Sequence, residues 1–172
     1  MNEIKPTKSI GVSKPLVDGP EKVSGKARYS SDFIPSDCLV GRIYRSPVSH
    51  AEIIEVDISE AQALPGVKAV ITGDESDEPF GVLPIARFEY PLARDKVRYK
   101  GEPVACVAAV DVETAQKAID LIKFKYNELP AYFTSEEAMA EGAVNIHDHR
   151  EGNIEREVEF DLGETDEALE AA

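Results

Sequence analysis

The stretch between residues 103 and 126 constrains the fold more than any other part of the chain. It opens on Pro103-Val104-Ala105-Cys106-Val107-Ala108-Ala109-Val110. This nearly unbroken run of small and β-branched apolar residues is what a strand buried on both faces requires. The run is far too short to cross a membrane. Asp111 follows as a helix cap. Ala115, Ala118, Ile119 and Ile122 then fall at i, i+3, i+4 and i+7, one apolar stripe of an amphipathic helix. Residues 123–126 alternate again as a strand. Such a strand–helix–strand unit crosses over right-handed if its strands are parallel neighbours. It is the predicted centre of the core, with Val104, Val107, Ala108, Ala115, Ile119 and Ile122 as its buried residues.

The flanks read as shorter elements. Residues 39–45 form a strand that Pro47 ends, and residues 51–58 form a second, with Ile54, Val56 and Ile58 alternating with Glu55 and Asp57. Ser59 opens a short helix, with Gln62 completing a capping box, and Pro65-Gly66 stops it. Residues 67–72 return as a strand, residues 74–78 are an acidic loop, and residues 96–99 are a short strand before a turn at Gly101. Thr134 and Glu137 make a second capping box, for a helix that Gly142 ends. Val17-Asp18-Gly19-Pro20 is turn chemistry. Strands and helices mix without regular alternation, so the expected class is α+β, a mixed sheet with packed helices.

The 172 residues carry 19 Lys and Arg against 33 Asp and Glu, a net charge of −14. Residues 137–172 hold twelve acids and two bases, so most of that charge lies in the last fifth of the chain. An acidic chain repels phosphate backbones, which argues against nucleic acid as a partner. Two cysteines, Cys38 and Cys106, are too few for a disulfide scaffold, and residues 1–13 lack the apolar core of a secretory signal. The expected location is the cytoplasm, with no membrane contact. Residues 1–14 read as a flexible arm and residues 15–150 as the domain. Residues 151–172 read as the acidic start of a following domain, cut short, with Thr165 as a helix cap.

Motifs for chemistry are scarce. There is no Gly-rich phosphate loop, no GxSxG, no HExxH and no CxxC. His147-Asp148-His149 is the one cluster of metal-ligand types. It reads as a solvated loop, because a closed site normally needs four ligands and no companion stands near. His50 beside a strand reads as a structural or surface residue, and Cys106 as an inert core thiol. No catalytic, cofactor-binding or metal-binding residue is assigned. Phe80, Val82, Leu83 and Ile85 are crowded between prolines and a glycine, with solvated flanks. They read as an interaction loop, the one candidate interface.

A series of longer blocks is more specific. Val17-Asp18-Gly19-Pro20-Glu21-Lys22-Val23-Ser24-Gly25-Lys26-Ala27-Arg28-Tyr29 resembles the opening signature of the large subunit of the molybdenum hydroxylases, the xanthine dehydrogenase and aldehyde oxidoreductase family. Gly41-Arg42-Ile43-Tyr44-Arg45-Ser46-Pro47 with His50-Ala51, then Leu64-Pro65-Gly66-Val67, continue the likeness. The run from Tyr90-Pro91-Leu92-Ala93-Arg94 to Gly101-Glu102-Pro103-Val104-Ala105, and Tyr126-Asn127-Glu128-Leu129-Pro130-Ala131, complete it in order. Ser24 stands where the family usually has Thr, and Val48 where it has Ala or His.

The resemblance implies an N-terminal α/β-hammerhead domain with no cofactor of its own. The whole enzyme it implies uses a molybdenum–pterin cofactor, iron–sulfur clusters and FAD. The partners would be the remaining domains of the large subunit and the iron–sulfur and FAD subunits. Within the family, residues 79–85 and 90–94 are most similar to the alpha subunit of 4-hydroxybenzoyl-CoA reductases, which remove a phenolic hydroxyl to give benzoyl-CoA. The alternatives are a hydroxylase of aldehydes or N-heterocycles, and a stand-alone interaction module.

Overall fold

A computed structural model describes residues 11–76, 78–81, 88–160 and 162–172. Residues 11–38 and residues 39–172 form two separate compact units. In the first, helix α1 spans Gly19–Val23 with Pro20 in its first turn, where its missing N–H costs nothing. The turn chemistry of residues 17–20 is therefore the start of a helix, because Asp-Gly-Pro suits a helix entry as well as a turn. A 3-10 turn follows at Ser30–Asp32, with Tyr29 N–H donating to the Asp32 carboxylate at 2.8 Å.

The second unit carries six strands: β1 (Val40–Arg45), β2 (Ala51–Asp57), β3 (Val67–Thr72), β4 (Lys96–Val97), β5 (Pro103–Ala109) and β6 (Lys123–Glu128). Its helices are α2 (Ser59–Ala63), α3 (Val112–Leu121) and α4 (Ser135–Ala138), and α5 (Thr165–Glu170) lies near the end of the chain. The chain is α+β, as the order of its elements implies. The strands do not form one mixed sheet. They form two three-stranded sheets, β1-β5-β3 and β4-β2-β6, in which every pairing is antiparallel.

The strand–helix–strand unit is present, but its strands are not neighbours. Strand β5 is the centre of one sheet, and β6 is an edge of the other. Helix α3 hands the chain from sheet to sheet, so the right-handed crossover rule does not apply. The Asp111 carboxylate caps α3 by accepting from Thr114 N–H at 2.7 Å, which holds the acid below its usual carboxylate range. Helix α2 starts at Ser59, and its N-cap position is Ile58, which makes no side-chain cap, so the Asp57 carboxylate one residue before holds the entry. That carboxylate accepts from the Ser59 N–H at 3.0 Å and from its hydroxyl at 2.6 Å, in place of the expected Ser59–Gln62 box. At α4 the Thr134 hydroxyl accepts from Glu137 N–H at 3.2 Å, while Glu137 accepts from Phe133 N–H rather than closing the box on Thr134. Helix α5 has no side-chain cap, and Thr165 is its first residue.

Two apolar clusters make the core. In the first, Ala61 of α2 and Ala115, Ala118 and Ile122 on the α3 side press onto Val70, Ala105, Val107 and Ala109 of the sheet. The many alanines let the helices approach the strands closely. Gly66 tightens the corner with φ +95°, and a Cβ there would sit 3.1 Å from Thr114 and Val110 side-chain carbons. The second cluster joins Ala51, Ala93, Val97 and Val104, with Phe124 and Tyr126 packed against it. Tyr44 and Val56 touch both. Val104, Val107, Ala115 and Ile122 are buried as expected, whereas Ala108 and Ile119 are half-buried. Ala108 sits on the face of β5 that no helix covers, and Ile119 lies at the margin of the α3 stripe. Among the described residues no helix is long and apolar enough to cross a membrane.

Candidate functional site

Polar chemistry gathers where β4 meets the segment after α4. The register of β2 and β4 pairs Ala51 with Val97 and Glu52 with Lys96. That puts Lys96 on the face opposite the buried Val97, beside exposed Glu52, and the segment after α4 covers it, so that its side chain is only 9% exposed. The Lys96 ammonium donates to the Asp148 carboxylate at 2.6 Å and to the Asn145 carbonyl at 3.3 Å. Asp148 therefore belongs to an ion pair, and the expected solvated loop at residues 147–149 is in fact a latch onto β4. Sequence gave no sign of this, because the partners stand 52 positions apart.

The latch is reinforced on both sides. Arg98 donates through Nε to the Ile146 carbonyl at 3.2 Å and through Nη1 to the Lys96 carbonyl at 3.0 Å. Asn153, at φ +60°, accepts from Ile146 N–H at 2.7 Å and donates to the Ala138 and Val144 carbonyls at 2.8 and 3.1 Å. Asn tolerates the left-handed region better than other side chains, which suits it to this role. Phe88 meets the His149 and His147 rings edge-on, at 4.5 and 5.2 Å between centroids.

The hydrogen bond from Lys96 holds Asp148 below its usual carboxylate range. A depressed carboxyl stabilises the fold above its unfolded value, about 3.8, and the contribution is lost as pH falls through the native value. Asp148→Asn should cost about 1–2 kcal/mol at neutral pH. A charged hydrogen bond to a buried ammonium is lost, and the exposure of Asp148 tempers the loss. The gap between wild type and variant in urea denaturation should close in acid. A gap that persists at pH 2 would show that the pair does not act through the charge of Asp148.

A cavity of about 330 Å³ opens beside the latch, with walls that include Phe80, Phe88, Tyr90, Arg94, Arg98 and Glu102. The Arg94 guanidinium lies over the Tyr90 ring at 5.1 Å. Burial pushes the Glu102 carboxyl up, and the N–H and charge of Arg98 pull it partly back. Burial also pushes His147 down, helped by the Arg98 and His149 charges. Phe80 is 47% exposed and forms an isolated antiparallel bridge with Glu89, with N–H···O distances of 2.7 and 3.1 Å. Of the candidate interface loop, Val82, Leu83 and Ile85 lie outside the described residues.

An aromatic cleft with charges of both signs, Arg94 and Arg98 against Glu89, Asp95 and Glu102, suits binding. The described residues do not fit a metal or cofactor centre. No three His, Cys, Asp or Glu side chains among them converge as a metal would need. His50 is buried, 3% exposed, with Nδ1 2.6 Å from the Pro130 carbonyl oxygen. Cys106 is half-buried in β5, and Cys38 is exposed. Cys106 thus fits the core role expected of it only in part.

Comparison with known proteins gives a consistent result. The family described as "Aldehyde oxidase and xanthine dehydrogenase, a/b hammerhead domain" matches residues 24–130. The chain is 36% identical over 162 residues to the nicotinate dehydrogenase large molybdopterin subunit of Eubacterium barkeri, an alignment covering 93% of this chain and 37% of that one. It is 32% identical to the xanthine dehydrogenase molybdenum-binding subunit of Escherichia coli O157:H7, covering 91% of this chain and 22% of that one. The crystal structure of quinoline 2-oxidoreductase from Pseudomonas putida 86 superposes with a TM-score of 0.72 at 34% identity, over 83% of this chain and 19% of that one. The chain thus spans well under half the length of each of these relatives.

Proposed function

Since the chain belongs to the aldehyde oxidase and xanthine dehydrogenase family, as its α/β-hammerhead domain, we propose that it serves as a scaffold within the molybdenum-bearing subunit of an oxidoreductase. The observation that carries this reading is the family match over residues 24–130, together with relatives named as molybdopterin and molybdenum-binding subunits of which this chain covers only part. The molybdenum–pterin cofactor would be held by other domains of the same subunit, and iron–sulfur clusters and FAD by partner subunits. In that assembly residues 15–150 act as the hammerhead unit, residues 1–14 as an arm, and residues 151–172 lead into the next domain. Ile154, Val158, Phe160, Leu162 and Leu169 stand exposed along that last segment, which supports a role in contact with further chain. The cytoplasm is the expected compartment.

Two reactions are compatible with the scaffold. The blocks at residues 79–85 and 90–94 favour reductive removal of the hydroxyl of 4-hydroxybenzoyl-CoA. The relatives named for nicotinate, xanthine and quinoline favour oxidation of a nitrogen heterocycle equally well. The assembled enzyme containing this chain should be assayed with 4-hydroxybenzoyl-CoA under reducing conditions, and with nicotinate, xanthine and aldehydes under oxidising ones. Turnover of the thioester alone supports the first reaction, and turnover of a heterocycle or aldehyde alone supports the second. A folded chain that assembles with no molybdenum-bearing partner would favour a stand-alone interaction module.

The interface loop fits the same picture. Phe80 is half exposed and bridged to Glu89, and the sequence adds the apolar Val82, Leu83 and Ile85 to the same candidate interface. Phe80→Ser with Leu83→Ser should leave the melting temperature of the chain nearly unchanged and weaken co-purification with the rest of the enzyme. Unfolding of the isolated double variant would place the loop in the core instead.

A further inference from the structure

On the far side of Arg98 and Tyr99 from the first cavity lies a second one, of about 270 Å³. His50 forms part of its wall. The ring is 3% exposed, and its Nδ1 is turned to the Pro130 carbonyl, so Nδ1 carries the proton. Nε2 is buried and has no hydrogen-bond partner. An orphaned ring nitrogen at that depth is costly unless something fills the space beside it. The same cavity is lined by Arg98 and Lys100, and neither forms an ion pair among the described residues. Both donor bonds recorded for the Arg98 side chain go to backbone carbonyls, which neutralise none of its charge. Glu102 is close enough for its charge to reach His50 and Arg98, but its carboxylate is bonded to the Arg98 N–H. The mouth is aromatic: Tyr132 is half-buried, and Tyr99 and Phe133 are 56% and 84% exposed.

We propose that this cavity is a binding site for a small carboxylate with an aromatic tail. The carboxylate sits by Arg98 and Lys100, next to the buried His50 ring, and the aromatic ring rests against Tyr99 and Phe133. A neutral ligand would leave the two cations of the lining without a counter-charge inside the cavity. In a chain with a net charge of −14, a pocket edged by two cations and a histidine is an exception, and it selects an anion. The volume, about 270 Å³, is ample for one ring and its carboxylate. The site rests on the cavity alone and does not depend on which reaction the whole enzyme performs.

Benzoate is the probe, and the readout is the His50 Nε2 resonance in long-range proton–nitrogen NMR of this chain. Benzoate should shift that resonance saturably, and acetate should bind several-fold more weakly. Lys100→Met should weaken benzoate by about threefold or more, in line with loss of one partly exposed ion pair. Phe133→Ala should narrow the gap between benzoate and acetate. Lys100 and Phe133 are both exposed, so these variants should fold even if a change at His50 does not. A resonance that does not move, acetate binding as tightly as benzoate, or an unaltered affinity in Lys100→Met would each overturn the proposal.

Discussion

Gly73→Ala is expected to destabilise the chain by about 3 kcal/mol, the upper end for overpacking a closed space. Gly73 is buried and opens the 3-10 turn that follows β3. A Cβ there would lie 2.3 Å from the Ala93 carbonyl oxygen, 2.9 Å from its carbon and 2.9 Å from Arg94 Cγ. The arginine chain can swing away, but the Ala93 carbonyl cannot. Ala93 is itself buried, and its N–H donates to the Pro103 carbonyl at 2.8 Å at the entry to β5. Relief must therefore shift either the turn or the segment leading into β4. At roughly 2–4 °C per kcal/mol for a chain of this size, the melting point should fall by about 6–12 °C. A loss below about 0.5 kcal/mol in urea denaturation would show that the turn can move at little cost.

The second large effect belongs to the helix that joins the sheets. Ile122 caps the C-terminal end of α3, is 6% exposed and packs into the first cluster. Ile122→Ala should cost about 2–5 kcal/mol. Ile119 lies on the same stripe but is half-buried, so Ile119→Ala should cost about 1–2 kcal/mol. Equal losses for the two variants would mean that the margin of the stripe closes in solution more tightly than its exposure indicates.

What could be read from sequence was local. Asp111 as a cap, the stripe from Ala115 to Ile122 and the run from Pro103 to Ala109 each announce themselves within a turn or two of their own positions. The pairing of the strands was hidden, because alternation in residues 51–58 says which face is buried and not which strand lies beside it. The helix Gly19–Val23 was hidden for a different reason, since Asp-Gly-Pro serves a turn and a helix start equally. At the candidate site, Lys96 and Asp148 have ordinary surface identities. Only the return of the distant segment around Asn145 and Asp148 over β4 buries the lysine and supplies its partner. His50 reads as one unremarked histidine until the Pro130 carbonyl fixes one of its nitrogens. The long ordered blocks carried the family where single motifs could not.

The strand order also bears on how the chain is made. Among the described residues, no strand pairs with the next one along the sequence. Val40 waits for Ala109, and Ala51 for Val97 and Glu128. A nascent chain leaving the ribosome therefore cannot close either sheet from neighbouring strands. At about 5–20 residues per second, β1 and β2 spend several seconds as unpaired edges before their partners emerge. Long-range pairing of this sort is slow to form and exposed to misassociation while it forms. For this domain, the exposure of unpaired strands during synthesis is a consequence of topology, whatever the stability of the finished fold.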